Sequence, residues 1–180
     1  MKNATETTTD VNNYQWLGSY PPGVEWHTSF PPQPLSHLLD RAVAAHPTRT
    51  CTNFLGKRLS YGEIGELVDH ATAGLQKLGV TKGTKVGLFL PNSPTFIIYY
   101  YAILKAGGTV VNYNPLYTLE ELTFQIKDSQ TTLMITLDLA LLFGKVEALL
   151  AAGTLKQAVV ASFRALLPGA KSVLFRLFKS

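Results

Sequence analysis

A chain of 180 residues is long enough for one domain with a real hydrophobic core and too short for two large ones. A hydrophobic share of 46% and a charged share of 16% describe an ordinary globular protein, and the single cysteine, Cys51, excludes an internal disulfide and suits a reducing compartment. The net charge is +4, yet no side-chain carboxylate follows Glu147, so Lys156, Arg164, Lys171, Arg176 and Lys179 carry the basic excess.

The opening MKNATETTTD lacks the basic start and apolar core of a signal peptide, and residues 1–13 read as a polar, disordered tail. Residues 14–34 hold Trp16 and Trp26 among clustered prolines and show neither helical nor strand periodicity. They read as an extended arm whose aromatics dock on a surface. From residue 35 to 161 an α/β subdomain is expected. Leu35, Leu38, Leu39, Ala42 and Val43 share one face of a helix that Pro47 closes. Residues 50–55 and 58–60 flank Gly56-Lys57 as a short hairpin.

Ser60 and Glu63 form a capping box, and Ile64, Leu67, Val68, Ala71, Leu75 and Leu78 follow at helical spacing up to Gly79. The strand Val86–Leu90 is stopped by Pro91-Asn92-Ser93-Pro94, and an aromatic-rich helix over 95–106 ends at Gly107-Gly108. This helix is apolar almost all round, which predicts burial on several sides. With the β-branched run Thr109–Val111 it completes a βαβ unit. Thr118 and Glu121 open another capped helix toward Ser129. Leu133–Thr136 reads as a strand, Leu139–Leu150 as a helix and Leu155–Ala161 as a strand. Such alternation predicts a mostly parallel sheet flanked by helices on both faces.

Residues 162–180 break the alternation as a basic amphipathic segment. Ala170, Val173, Leu174, Leu177 and Phe178 fall on one helical face, with Lys171, Arg176 and Lys179 on the other. A helix of this kind can lie in a membrane interface, with Leu166 and Leu167 as further apolar contacts, or it can pack on protein. No apolar run is long enough to span a bilayer.

Reactive chemistry is hard to find. His27, His37, His46 and His70 have no metal-ligand spacing, and no metal site is expected. Neither a dinucleotide nor a P-loop glycine pattern occurs, and no G-x-S-x-G elbow is present. The cations are few and lie beside apolar residues, which argues against nucleic acid. Asn114, Pro115 and Tyr117 follow the carboxyl end of a strand, where open α/β sheets place ligands, and mark a candidate substrate channel. The simpler reading of the same residues is a turn supporting the next helix.

The segment Arg58-Leu59-Ser60-Tyr61-Gly62-Glu63-Ile64 resembles the opening motif of adenylate-forming enzymes, and Lys105-Ala106-Gly107-Gly108-Thr109-Val110-Val111 resembles their second core motif. Asn112–Thr118 with Glu120-Glu121-Leu122 is similar to the corresponding stretch of bacterial long-chain fatty acid–CoA ligases, as are the arm around Trp16 and the tail Leu166-Leu167-Pro168-Gly169. The resemblance implies an incomplete N-terminal subdomain of such a ligase. It further implies that the intact enzyme uses Mg²⁺, ATP, a fatty acid and coenzyme A; the location expected from the lone cysteine, the opening residues and the basic tail is the cytoplasm or, peripherally, the inner membrane face. The family's phosphate-handling motifs lie downstream of the matched region, so no catalytic residue and no cofactor are expected within these 180 residues. A strand edge and apolar helix faces left uncovered would favour self-association, including a homodimer. The competing expectation is a non-catalytic membrane-surface or interaction module that reuses the subdomain.

Overall fold

The computed structural model describes residues 14–25 and 28–178, and among these the side chains of 170 and 176–178 are not described. The polar tail, Trp26, His27 and Lys179 lie outside the described residues. Residues up to Gln33 form one compact unit and those from Pro34 onward another.

The first unit departs from a purely extended arm. Gln15–Ser19 form a turn of 3₁₀ helix, and the Tyr14 and Trp16 rings stack at 4.2 Å. Tyr20 N–H donates to the Leu17 carbonyl at 3.3 Å, and Gly23, at φ +88°, completes a turn in which Val24 N–H reaches the Pro21 carbonyl. Single i→i+3 bonds of this sort leave no periodic signature in a sequence.

The second unit starts with α1 (His37–Ala45), in which Leu39 is buried while Leu35, just ahead of it, and Leu38 stay exposed. The expected five-residue apolar face is therefore only partly used. Strands β1 (Thr50–Phe54) and β2 (Lys57–Ser60) pair antiparallel, joined by Leu55 at φ +53° and Gly56 at φ +99°. Positive φ at both central residues is the turn that matches strand twist, and Gly56 adopts it without steric cost.

Helix α2 (Tyr61–Lys77) begins with the complete capping box: Glu63 N–H donates to Ser60 Oγ, and Ser60 N–H to the Glu63 carboxylate at 2.7 Å. It packs on α1, where Gly65 lies so close to Val43 that a Cβ would sit 3.1 Å from a methyl. Lys105, at the end of α3 (Pro94–Lys105), ties the layer together through ion pairs of 2.8 Å to Asp40 of α1 and Asp69 of α2. Burial works to lower the pKa of this ammonium, but the hydrogen bonds and charges of the two aspartates outweigh it and raise it.

The main sheet contains β3 (Lys85–Phe89), β4 (Thr109–Tyr113), β5 (Leu133–Leu137) and β6 (Gln157–Ala161), all parallel, in the order β4-β3-β5-β6. Helices α3, α4 (Leu119–Ser129) and α5 (Ala140–Ala151) make the crossovers. Right-handed connections put α3 on one face with α2, and α4 and α5 on the other. The chain steps from β3 outward to β4 and then back across to β5, which makes the β3–β5 boundary the switch point of the sheet.

Core positions follow from this layering. Val86, Leu88, Phe89, Met134, Ile135 and Leu137 are all fully buried, as expected for strands covered on both faces. Gly87 has a specific reason to lack a side chain. A Cβ there would meet the Tyr113 ring at 2.8 Å and the Thr131 methyl at 3.2 Å. The Tyr113 hydroxyl is held in turn by Thr131 Oγ1 at 2.8 Å and Ser129 Oγ at 3.0 Å. Gly87→Ala is expected to displace this ring and cost about 1–3 kcal/mol, read by urea denaturation. Unchanged stability would show that the ring yields freely.

The carboxyl ends of the strands and the candidate site

Three loops leave the carboxyl ends of the central strands. The loop after β4 contains the sequence-predicted candidates. Asn114 is exposed, and Pro115 and Tyr117 are half-buried. Asn114 Oδ1 accepts from Leu116 N–H at 3.0 Å and its carbonyl accepts from Tyr117 N–H at 3.0 Å, so the asparagine side chain copies a backbone turn. Pro115 fits the second position of such a turn because its φ is already set. Lys145, on α5, donates to the Tyr117 carbonyl at 2.6 Å while its ammonium lies 5.9 Å from the Phe89 ring centre.

Thr118 then caps α4. Glu121 N–H donates to Thr118 Oγ1, and the Glu121 carboxylate accepts from the Thr118 amide at 2.7 Å and its hydroxyl at 2.9 Å. This loop is thus a firm turn and cap, located one strand away from the switch point. At the switch point itself, Leu90 to Ser93 follow β3 and Asp138 follows β5. Asp138 joins two strand ends: its carboxylate accepts from Phe163 N–H at 2.7 Å and from the Ser162 hydroxyl at 3.3 Å.

Sequence reasoning alone does not single out Lys145 or Asp138. Lys145 does carry a signal, as a lone cation inside the otherwise apolar run ALLFGKV. Asp138 has none, because its partners lie 24 and 25 residues away.

The C-terminal candidates separate into two groups. Leu166 and Leu167 are buried, at 7% and 8% exposure, and Leu166 joins the core. In this structure they lie in the interior, at the end of the 3₁₀ turn Phe163–Leu166, and not on the exposed surface. Helix α6 (Gly169–Phe178) exposes Val173 and Leu174, at 58% and 55%. Lys171 donates to the Leu55 carbonyl at 2.9 Å, Arg164 Nε to Ser172 Oγ at 3.1 Å, and the Phe163 and Phe175 rings meet at 5.3 Å. The helix therefore rests on its own protein through several contacts. The side chains of Arg176, Leu177 and Phe178 lie outside those described, as does Lys179.

On the α2/α3 side, an apolar groove of about 570 Å³ runs beside β6, lined by Leu67, Leu78, Ile98, Tyr99, Val159 and Leu166. Among the described residues β4 and β6 each pair on one edge only. No helix among them is long and apolar enough to cross a membrane.

Comparison with known proteins gives this doubly wound domain its class. The model of the AMP-binding enzyme family matches residues 39–173, and the chain belongs to that family. The chain is 37% identical over 162 residues to a long-chain-fatty-acid–CoA ligase of Bacillus subtilis, covering 90% of this chain and 29% of that protein. It is 36% identical over 107 residues to one of the plipastatin synthase proteins of the same organism, covering 59% of this chain and 4% of the relative. Among solved structures, a long-chain-fatty-acid-CoA ligase of Archaeoglobus fulgidus superposes with a TM-score of 0.66 at 23% identity, over 74% of this chain and 28% of that one, a likeness of fold. The chain thus spans less than a third of the ligases it resembles.

Because two hydrogen bonds from Thr118 pull the Glu121 pKa below the ordinary carboxylate value, the cap stabilises α4 above the unfolded-state pKa and is lost as pH falls through the folded one. Glu121→Gln is expected to lower the thermal midpoint at neutral pH and to narrow the gap between neutral and acid midpoints. A midpoint matching that of the parent protein at every pH would refute this role.

Proposed function

We propose that this chain is the N-terminal scaffold of a long-chain fatty acid–CoA ligase. The whole protein would join a fatty acid to ATP as acyl-adenylate with release of pyrophosphate, then transfer the acyl group to coenzyme A. The observation carrying this reading is the 37% identity to the Bacillus ligase across 90% of the chain.

The residues present do not fit Mg²⁺-ATP. A triphosphate calls for converging cations, backbone amides in a glycine-rich loop, and carboxylates for the metal. The strand ends offer instead the neutral turn Asn114–Tyr117, and the Lys145 ammonium donates to its Tyr117 carbonyl. Among the described residues no three His, Cys, Asp or Glu side chains converge as a metal site. The chain's contribution in this reading is positional: β3, β4 and α5 hold the 114–117 turn, with Asn114, Pro115 and Tyr117 edging a substrate channel completed by residues outside this chain. The open edges of β4 and β6 and the apolar groove support self-association when these residues stand alone.

A second reading, a non-catalytic module at an anionic membrane surface on the cytoplasmic side, is favoured by the adjacent exposed Val173 and Leu174 with Lys171 beside them. ATP–pyrophosphate exchange with palmitate and Mg²⁺ separates the two. The expected result is no exchange by this chain and palmitate-dependent exchange by a polypeptide extended beyond Ser180. Silence from a folded extended protein, with cosedimentation on anionic vesicles that Val173→Asp abolishes, would reject the ligase reading for the second.

A further inference from the structure

We propose that the tip of the β1–β2 hairpin and helix α6 form one surface that docks on an anionic lipid bilayer, with Leu55 entering the interface beside Val173 and Leu174. The proposal rests on the membrane-surface reading of α6 and extends it to a second element, 116 residues earlier in the chain. The two elements are fastened to each other. Lys171 of α6 donates to the Leu55 carbonyl at 2.9 Å, and Lys57 of β2 donates to the Ala165 carbonyl at 2.6 Å. Phe163 stands between them, its ring meeting Phe54 edge-on at 6.3 Å and Phe175 at 5.3 Å.

Both elements turn apolar groups outward. In α6, Lys171, Ser172 and Phe175 make the contacts to the rest of the protein. Helical spacing therefore puts Val173 and Leu174 on the side away from it, and both are exposed. Leu55 is 50% exposed although it sits at the hairpin tip with φ +53°. That left-handed conformation is sterically poor for leucine and suits asparagine or glycine, so the residue gains little burial and no easy backbone from its place. A strained backbone that holds an apolar side chain in the open points to a use outside the fold.

Charge decides what covers this surface. Lys57, Arg164 and Lys171 bond to neutral acceptors, namely the Ala165 carbonyl, the Ser172 hydroxyl and the Leu55 carbonyl. None of the three pairs with a carboxylate among the described residues. Glu63 and Asp138 lie close by, but Glu63 accepts from the Ser60 amide and Asp138 from the Phe163 amide. No side-chain carboxylate follows Glu147. A second copy meeting this patch face to face would oppose like cations. Lipid phosphates would instead face the cations at the rim, while the two leucines and the valine enter the acyl boundary. No described helix is long and apolar enough to cross a membrane, so the contact is interfacial.

The test is cosedimentation of the full chain with vesicles of equal parts phosphatidylcholine and phosphatidylglycerol, against vesicles of phosphatidylcholine alone. Binding should favour the anionic vesicles and fall as salt is raised. Leu55→Asn should weaken it roughly fivefold, the share of one half-exposed leucine entering the interface. It should leave the melting temperature unchanged or higher, because asparagine accepts the left-handed backbone. Lys171→Gln should also weaken binding and flatten its salt dependence. The proposal is overturned if Leu55→Asn binds as tightly as the parent while Val173→Asp abolishes binding, which would leave α6 acting alone. Equal binding to both vesicle types would overturn it too, as would a dimer in sedimentation that Leu55→Asn and Val173→Asp dissolve, which would assign the surface to a second copy. No binding by the parent chain would reject this surface and the membrane reading of α6 together.

Discussion

Strand β3 is paired on both edges and buried on both faces, and at Gly87 it gives up its own side chain to the Tyr113 ring. That exchange fixes much of the rest. The ring lies over β3, and its hydroxyl ends among Ser129 and Thr131, at the junction of α4 with β5. One side chain thereby links the last residue of β4, the middle of β3 and the approach to β5. The three strands it joins are those that meet around the switch point.

Most of the framework is legible in the sequence because its signals are local. The two capping boxes, Ser60 with Glu63 and Thr118 with Glu121, need only a spacing of three residues, and both form. The strands of the main sheet announce themselves as short apolar or β-branched runs between helical stretches. What escapes the sequence is whatever depends on distant partners. Leu166 and Leu167 have the apolarity of a membrane face and of a core alike, and their burial is visible only in the structure. Leu35, just ahead of α1, and Leu38 within it have the apolarity of a packed face but stay exposed. The candidate turn is legible as a turn in Asn114 and Pro115. Its anchor is not, since Lys145 lies 28 residues beyond the carbonyl it holds.

The functional picture follows from the same separation of scaffold and chemistry. A doubly wound sheet with its switch point prepared offers a place for a ligand, but activity resides in side chains mounted on the loops. The relatives fit that separation, since stretches similar to this chain occur in a long-chain-fatty-acid–CoA ligase and in a plipastatin synthase protein. In this chain those loops hold the Asn114–Tyr117 turn, the Thr118 cap and Asp138, and Lys145 of α5 reaches the first of them.

The most direct test is a chimera in which this chain replaces the matched N-terminal stretch of the Bacillus subtilis ligase. Palmitate-dependent ATP–pyrophosphate exchange is measured, with the parent ligase as reference. The scaffold account predicts exchange restored by the chimera and absent from either piece alone. A chimera that folds cooperatively but stays silent would contradict it, because a true scaffold of the family should place the downstream catalytic residues well enough to act.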